Sequence, residues 1–329
     1  MRYGSDTEDG IRRLGHARFR YVGANGAAVG PQDRERVRAL AVPPAWTDVW
    51  IAPGADWHLQ ATGRDARGRL QYRYHDDFRA EREAAKFDDL LAFGSGLAGL
   101  RRVVENELRG ERPTRERVLA VVVRLLDSTL LRVGNEEYAR TNGSYGLTTL
   151  RSRHASVAKG AVRLHFRGKA AHRFDLTVDD TRVARTVRQL QHLPGQLLFQ
   201  YVDEAGDTCA IGSSEVNEFL QAHACATATA KTFRTWGASV MGAALLAHAP
   251  VPTTARDRSR VVNDAVRVVA DRLGNTLAVC RSSYVHPFVY EAFDNGQLAR
   301  QWTGHAPSAP RGLSADERRF WTLLHDAKR

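Results

Sequence analysis

Residues 162–178, with the sequence VRLHFRGKAAHRFDLTV, form two alternating runs around a short centre. The apolar positions of the two runs are Val162, Leu164, Phe166, Phe174, Leu176 and Val178. A period of two is typical of strands with one buried face. The residues between the runs include Gly168 and Lys169, which predicts a β-hairpin with Lys169 at its tip.

The segment that precedes this hairpin has a helical pattern. Thr114 can cap a helix, because a threonine hydroxyl accepts a hydrogen bond from a backbone N–H of the first turn. The apolar residues that follow recur at the spacing of one buried stripe: Val118, Val122, Leu125 and Leu126. Gly134 is expected to end this helix, since glycine is favoured just after a helix C-terminus.

Helical patterns resume after the hairpin, near Val183, Ser214 and Arg256. The last predicted helix opens with Ser314 and Glu317, which have the spacing of a capping box. The part of the chain that contains the hairpin is therefore expected to be mainly helical.

The first part of the chain is rich in turns and short extended runs. Strands are predicted at residues 46–51, after Pro43 and Pro44, and at residues 70–74. A charged, helix-favouring connector follows at about residues 76–91. The expected fold is α+β, with a small β-rich N-terminal domain at residues 1–85 and a larger, mainly α-helical domain at residues 86–329.

The composition restricts the function classes. The 329 residues carry a formal net charge of +11 with a pI of about 10.0, which favours a polyanionic partner such as nucleic acid. Cys209, Cys225 and Cys280 form neither a disulfide framework nor a zinc pattern, so reduced thiols are expected. No signal peptide or membrane span is expected, and the most apolar stretch, residues 240–251, is too short to cross a bilayer.

Four short segments contain residues whose side chains could take part in catalysis: residues 131–138, 166–169, 231–237 and 273–287. Each feature has an ordinary structural explanation when it is taken alone. An arginine at a helix end complements the helix dipole, and a tyrosine packs in many cores. The order and local context of all four segments together favour a functional interpretation.

This ordered set resembles the type IB DNA topoisomerases, especially the small bacterial and poxvirus-like branch. The family carries an Arg, a Lys at a hairpin tip, an Arg in an Arg-Thr-Tyr/Trp-Gly context and a His or Asn nine positions before a tyrosine. The matching residues here are Arg132, Lys169, Arg234, Asn275 and Tyr284, with 284 − 275 = 9. Lys231 and Tyr138 are expected to support this site.

The resemblance extends to the N-terminal domain. Residues 43–50 and 60–65 look like the bacterial members. Further residues are expected to bind DNA, three of them in a Gln-Tyr-x-Tyr strand that touches the major groove in viral relatives: Gln71, Tyr72, Tyr74, Arg67 and Arg69. The resemblance implies two domains that form a clamp around double-stranded DNA.

The resemblance also implies roles for the five residues. Tyr284 would be the nucleophile and form a 3′-phosphotyrosyl intermediate. Arg132 and Arg234 would bind the non-bridging phosphate oxygens, because guanidinium is planar and always charged. Asn275 would donate a further hydrogen bond, and Lys169 would protonate the leaving 5′ oxygen. Neither metal, ATP nor another cofactor is expected.

Two alternatives share parts of this pattern. A tyrosine site-specific recombinase usually has His-x-x-Arg around the second arginine, where this chain has Lys231 and Arg234. A non-catalytic DNA-binding relative would not need an intact set of reacting residues. The preferred hypothesis is an ATP-independent topoisomerase, expected to be cytoplasmic and nucleoid-associated, monomeric and without an obligatory protein partner.

Overall fold

The computed structural model describes residues 1–15, 18–66, 68–79, 81, 87, 89–303 and 309–328. The chain divides into two compact units, Met1–Ala85 and Lys86–Arg329. Part of the expected connector at residues 76–91, namely 80, 82–86 and 88, lies outside the described residues, as does Arg67. No helix in the described part is long and apolar enough to cross a membrane.

The N-terminal unit contains an antiparallel sheet and a short helix. The strands pair in the order β2-β1-β3-β4-β5. They are β1 (Ile11–Leu14), β2 (Arg20–Val22), β3 (Thr47–Ile51), β4 (Leu59–Arg64) and β5 (Leu70–Tyr74), with helix α1 (Pro31–Ala39) between β2 and β3. Val37 of the helix packs with Val49 and Ile51 of the sheet in one small core. The strands predicted at residues 46–51 and 70–74 are therefore confirmed.

Strand β5 lies at the end of the strand order, and its side chains alternate between half-buried and exposed. Tyr72 and Tyr74 are two residues apart and lie on the same face. Their rings are stacked, with centroids 6.0 Å apart and an interplanar angle of 11°. The two tyrosines are 50% and 38% exposed, so this strand presents an aromatic surface to solvent.

The second unit is mainly helical and contains two small sheets. Its helices are α2 (Leu90–Glu107), α3 (Arg115–Thr129), α4 (Glu136–Asn142), α5 (Thr181–Leu190), α6 (Ser213–His223), α7 (Ala230–Ala247), α8 (Ala255–Leu273), α9 (Leu277–Ser283), α10 (Pro287–Asp294), α11 (Gln297–Thr303) and α12 (Ala315–Ala327). Its strands are β6 (Ala155–Ala158), β7 (Ala161–Arg167), β8 (Arg173–Asp179), β9 (Gln200–Val202) and β10 (Thr208–Ala210). The fold is α+β, as the sequence predicts.

Helix α3 begins as predicted but ends earlier. The Thr114 side chain accepts a hydrogen bond from the Arg117 N–H, and all four residues of the predicted apolar stripe are buried. The prediction that Gly134 ends the helix is wrong, because the last helical residue is Thr129 and Leu130 caps it with φ 57°. The residues after Leu130 leave the helix because Leu147 N–H donates to Arg132 O at 2.9 Å and Thr148 N–H to Val133 O at 2.7 Å.

The predicted hairpin is formed by β7 and β8. Val162, Leu164 and Phe166 face the core, while the alternate side chains are exposed. The turn places Ala170 at φ 57° and Ala171 at φ 62°, both in the left-handed region. This region is unfavourable for residues with a Cβ atom, so the turn that carries Lys169 is strained.

Candidate active site

Four of the residues singled out in the sequence meet at one place in the helical unit. Arg132 lies in the loop after α3, and Arg234 lies in the second turn of α7. Asn275 follows the C-terminus of α8, and Tyr284 caps the C-terminus of α9. Residues separated by up to 152 positions (284 − 132) therefore share one site because helix ends converge there.

Arg234 is 3% exposed and is held by carbonyl groups at two helix C-termini. Its Nη1 atom donates to Leu130 O at the end of α3, and its Nη2 atom donates to Leu273 O at the end of α8, the latter at 3.0 Å. Helix C-termini carry partial negative charge, which favours a cation there. Burial lowers the pKa of Arg234, yet an arginine keeps its proton at neutral pH.

Arg132 and Asn275 bind each other. The Nη2 atom of Arg132 donates to Asn275 Oδ1 and, at 3.0 Å, to Gly274 O. Because the amide oxygen is used in this way, the Asn275 Nδ2 group is the one left to donate elsewhere. Burial and the positive charge of Arg234 lower the pKa of Arg132.

Three nitrogen atoms of this cluster are buried without a hydrogen-bond partner among the described residues. They are Arg132 Nη1, Arg234 Nε and Asn275 Nδ2. A buried donor left unpaired costs about 1–3 kcal/mol, so native proteins rarely retain several in one place. All three atoms are donors and two belong to cations, which is the pattern expected for an anion with several oxygen atoms.

Tyr284 lies beside this donor cluster. The guanidinium carbon of Arg234 is 5.2 Å from the centroid of the tyrosine ring. Burial raises the pKa of the Tyr284 phenol, but the positive charges of Arg234, Arg132 and Lys231 lower it more, so the pKa lies below its ordinary value. A tyrosine with a lowered pKa beside two arginines is a candidate nucleophile.

The backbone around Tyr284 is fixed by Ser239 of α7, which is completely buried. The Ser239 hydroxyl donates to Tyr284 O at 3.1 Å and accepts from His286 N–H at 2.9 Å. Sequence reasoning missed this residue. The available signal was a serine within an otherwise apolar stretch of α7, five positions after Arg234.

Lys169 is not in contact with the four clustered residues. Its side chain is exposed and forms no hydrogen bond or ion pair among the described residues. Its hairpin nevertheless packs against the turn that precedes Asn275. Gly274 has φ +60°, and a Cβ atom there would be 2.8 Å from Phe174 Cζ and 3.2 Å from His172 Cδ2. This glycine allows the hairpin to approach the site.

A second close approach fixes the Arg132 loop. A Cβ atom on Gly146 would lie 2.6 Å from Arg132 O, so only glycine fits at this position. The supporting residues predicted from the sequence are less closely integrated. Lys231 is exposed in the first turn of α7, although its charge acts on Tyr284. Tyr138 lies on α4 and is 39% exposed.

The residues predicted to bind DNA in the N-terminal unit lie on or near β5. Tyr72 and Tyr74 are exposed, as described above. Gln71 Nε2 donates to Asp65 Oδ2 at 3.1 Å, and Arg69 forms an ion pair with the same carboxylate at 2.6 Å. Arg67 lies outside the described residues.

A helical domain that brings together a buried arginine, a half-buried arginine, an amide donor and a tyrosine has the arrangement expected of enzymes that cut DNA through a tyrosine. Comparisons with known proteins narrow this class. Residues 75–298 match the family described as eukaryotic DNA topoisomerase I, catalytic core. Residues 18–65 match the bacterial DNA topoisomerase IB N-terminal domain.

Two relatives agree with these matches. DNA topoisomerase 1B of Acanthamoeba polyphaga mimivirus is 31% identical over 282 residues, which cover 84% of each chain. DNA topoisomerase 1 of Mycosarcoma maydis is 26% identical over 229 residues, which cover 62% of this chain and 22% of that protein. The chain belongs to the type IB DNA topoisomerase family, and the resemblance predicted from the sequence is confirmed.

Proposed function

We propose that this protein relaxes supercoiled DNA by cutting one strand with Tyr284 and resealing it, without ATP or metal. The observation that carries this proposal is the group of three buried, unpaired donors beside Tyr284. A phosphodiester has two non-bridging oxygens that carry its negative charge. These donors fit such oxygens, and the adjacent tyrosine fits the attacking group.

In the cleavage step, the Tyr284 oxygen forms a bond to phosphorus, and the bond from phosphorus to the 5′ oxygen breaks. The phenol loses its proton, and the 5′ oxygen gains one to become a hydroxyl. The lowered pKa of Tyr284 makes the first proton transfer easier. The phosphate remains joined to the 3′ end, as the family resemblance implies.

Negative charge accumulates on the phosphate during this step. Arg132 and Arg234 stabilise it from fixed positions, since their other nitrogens are already bound to carbonyl groups. Asn275 adds a neutral donor, because its amide oxygen is occupied by Arg132. An amide does not transfer protons near neutral pH, so Asn275 acts by hydrogen bonding alone.

Lys169 is the proposed general acid for the leaving 5′ oxygen. Its hairpin packs on the Gly274 turn, which supports a position near the cleaved bond once DNA is present. Catalytic hydrogen bonds often form only in the complex with substrate. Lys231 contributes positive charge close to Tyr284 and assists proton transfer.

The phosphotyrosyl bond conserves the energy of the broken phosphodiester, so the free 5′ hydroxyl reseals the strand without ATP. Supercoiling torque turns the 5′ end before resealing. Two arginines and a lysine supply the positive charge that metal ions supply in other phosphoryl-transfer enzymes. The exposed Tyr72 and Tyr74 support a DNA-binding role for residues 1–85, with the two domains closing as a clamp on the duplex. We propose that the enzyme acts as a monomer on nucleoid DNA.

The test is relaxation of supercoiled plasmid in EDTA without ATP. Wild type is expected to relax the plasmid and to form a covalent protein–DNA adduct after denaturation, whereas Tyr284→Phe forms neither product. Tyr290→Phe is the matched control, because it removes a hydroxyl that donates to Arg281 O at 3.2 Å and Tyr290 has no proposed role in the reaction.

If Tyr284→Phe still relaxes DNA, the proposed nucleophile is wrong. If wild type binds DNA but forms no adduct, the protein is a non-catalytic relative. Strand exchange only at a defined sequence would instead indicate the recombinase, an alternative that the family match disfavours.

A further inference from the structure

The outer face of the β7–β8 hairpin has an uneven distribution of charge. Arg163, His165 and Arg167 are exposed along β7, and Arg173 and Asp175 are exposed along β8. These side chains point away from the core of the helical unit. They continue toward the turn that contains Lys169.

The part of this face farther from the turn is neutralised. Arg163 donates from Nε and Nη2 to the two carboxylate oxygens of Asp175, at 2.7 and 2.6 Å. His165 Nδ1 lies 3.6 Å from the same carboxylate. Asp175 therefore lies next to both basic side chains at this end of the hairpin, Arg163 and His165.

The part nearer the turn has no such carboxylate. Arg167 and Arg173 are directly opposite each other in the strand register, so their side chains lie on the same face. Both are exposed, and among the described residues neither guanidinium has an ion pair or a side-chain hydrogen bond. Like charges directly opposite on two antiparallel strands are destabilising. Folding alone gives no reason for this pair.

We propose that Arg167 and Arg173 bind DNA phosphates beside the cleaved bond, so that the duplex supplies the anions this pair lacks. This inference rests on the proposed function. The hairpin packs on Gly274 through His172 and Phe174, next to the donor cluster. In this proposal, the duplex that puts a phosphate in the cluster extends past the hairpin, where neighbouring phosphates meet the exposed guanidinium groups of Arg167 and Arg173. Backbone contacts of this kind position DNA without reading its sequence.

The first test measures equilibrium binding of a short duplex at several salt concentrations, in a Tyr284→Phe background that prevents cleavage. Each phosphate contact contributes about 0.9 to the slope of log affinity against log salt. Arg167→Gln and Arg173→Gln should each lower the slope by about 0.9, and the double variant by about 1.8. At 0.1 M salt, each single variant should bind about eightfold more weakly, since 10 to the power 0.9 is about eight.

Arg163→Gln is the matched control. It lies on the same strand and face, but Asp175 already occupies its guanidinium. Its salt slope should equal that of the parent protein. A second measurement separates binding from folding: without DNA, Arg167→Gln or Arg173→Gln should raise Tm by about 1 °C through relief of repulsion, and Arg163→Gln should lower it.

Unchanged slopes in Arg167→Gln and Arg173→Gln, with normal salt-dependent binding by the parent, would overturn this inference and leave the proposed function intact. Equal losses in Arg163→Gln would also overturn it, because the effect would then come from net charge. Failure of the parent protein to bind duplex DNA at low salt would overturn the proposed function itself.

Discussion

The orientation of the Asn275 amide depends on Arg132. Arg132 donates to the amide oxygen, so the nitrogen of the same side chain is left as a buried donor with no partner among the described residues. In the proposed reaction, the guanidinium that binds the phosphate also fixes a neighbouring donor. A histidine at this position would need a different contact to be held in place.

Asn275→Asp separates the acceptor role of the Asn275 side chain from its donor role. Aspartate keeps an oxygen for Arg132 but has no N–H to donate, and it places negative charge where the phosphate binds. We expect single-turnover cleavage to fall by at least about 100- to 1000-fold, the usual cost of one lost oxyanion donor. Asn275→His, which retains a donor, should keep most of the rate. Cleavage by Asn275→Asp at the wild-type rate would mean that the amide nitrogen does not contact the phosphate.

Among the elements, the β6-β7-β8 sheet contains two tight turns of different composition. The β6–β7 turn contains Lys159 at φ 50° and Gly160 at φ 81°, and the β7–β8 turn contains Ala170 and Ala171, both at positive φ. Two-residue hairpins that need positive φ at both positions prefer Asn-Gly. The turn beside the candidate site is thus the one with the less suitable residues.

Replacing Ala170 by Asn and Ala171 by Gly should stabilise the protein by about 1 kcal/mol, because the strained conformation becomes an accessible one. Thermal denaturation without DNA should show a Tm higher by about 2–4 °C. Gly160→Ala is the opposite control and should lower Tm. A decrease in Tm for the double variant would show that the alanine side chains make stabilising contacts that outweigh the strain.

At the scale of the whole helical unit, Glu317 connects the C-terminal helix to the rest. Arg101 of α2 lies between Asp127 of α3 and Glu317 of α12, with N–O distances of 2.8 Å to each. Trp236 Nε1 also donates to Glu317 at 3.2 Å, two residues after Arg234. The helix that carries Arg234 is thereby tied to residues that follow Tyr284 in the chain.

Glu317→Gln should lower the free energy of unfolding by about 2–3 kcal/mol at pH 7, since it removes a charged partner from a buried ion pair. Burial raises the pKa of Glu317, but its hydrogen bonds and the Arg101 charge lower it more. A carboxylate with a lowered folded-state pKa stabilises the protein above its unfolded pKa and loses this effect as pH falls through the folded value. The difference from wild type should therefore shrink below about pH 4.

Urea unfolding followed by tryptophan fluorescence measures both effects. Arg319→Gln is the control, because Arg319 pairs with Asp316 on the surface at 3.2 Å and should contribute less than about 1 kcal/mol. A difference between wild type and Glu317→Gln that stays constant from pH 7 to pH 3 would contradict the assignment of the charge.

The sequence predicts those features of the molecule that depend on local pattern. Thr114 and the apolar stripe of α3 locate that helix, and alternation locates β7 and β8. The sequence does not predict the end of α3, because Gly134 is a local signal, whereas Leu147 and Thr148 bind the chain from 15 positions away (147 − 132 and 148 − 133).

The sequence likewise predicts one part of the candidate site and not the other. Motif order selects Arg132, Arg234, Asn275 and Tyr284, and the structure brings them together. The sequence did not predict the bond from Arg132 to Asn275 or the role of Ser239, because both depend on which helix ends meet in space.

Ser239 has a consequence for the proposed intermediate, in which DNA is covalently joined to Tyr284. While the cut strand turns, the duplex exerts force on Tyr284 through the phosphate. This force acts on the backbone at Tyr284, directly after the C-terminus of helix α9. The Ser239 hydroxyl forms hydrogen bonds to this backbone at Tyr284 O and at His286 N–H. These bonds transmit the force to the 18-residue helix α7. In the proposed intermediate, Ser239 therefore anchors the attachment point of the DNA and keeps the phosphotyrosine in place for the returning 5′ end.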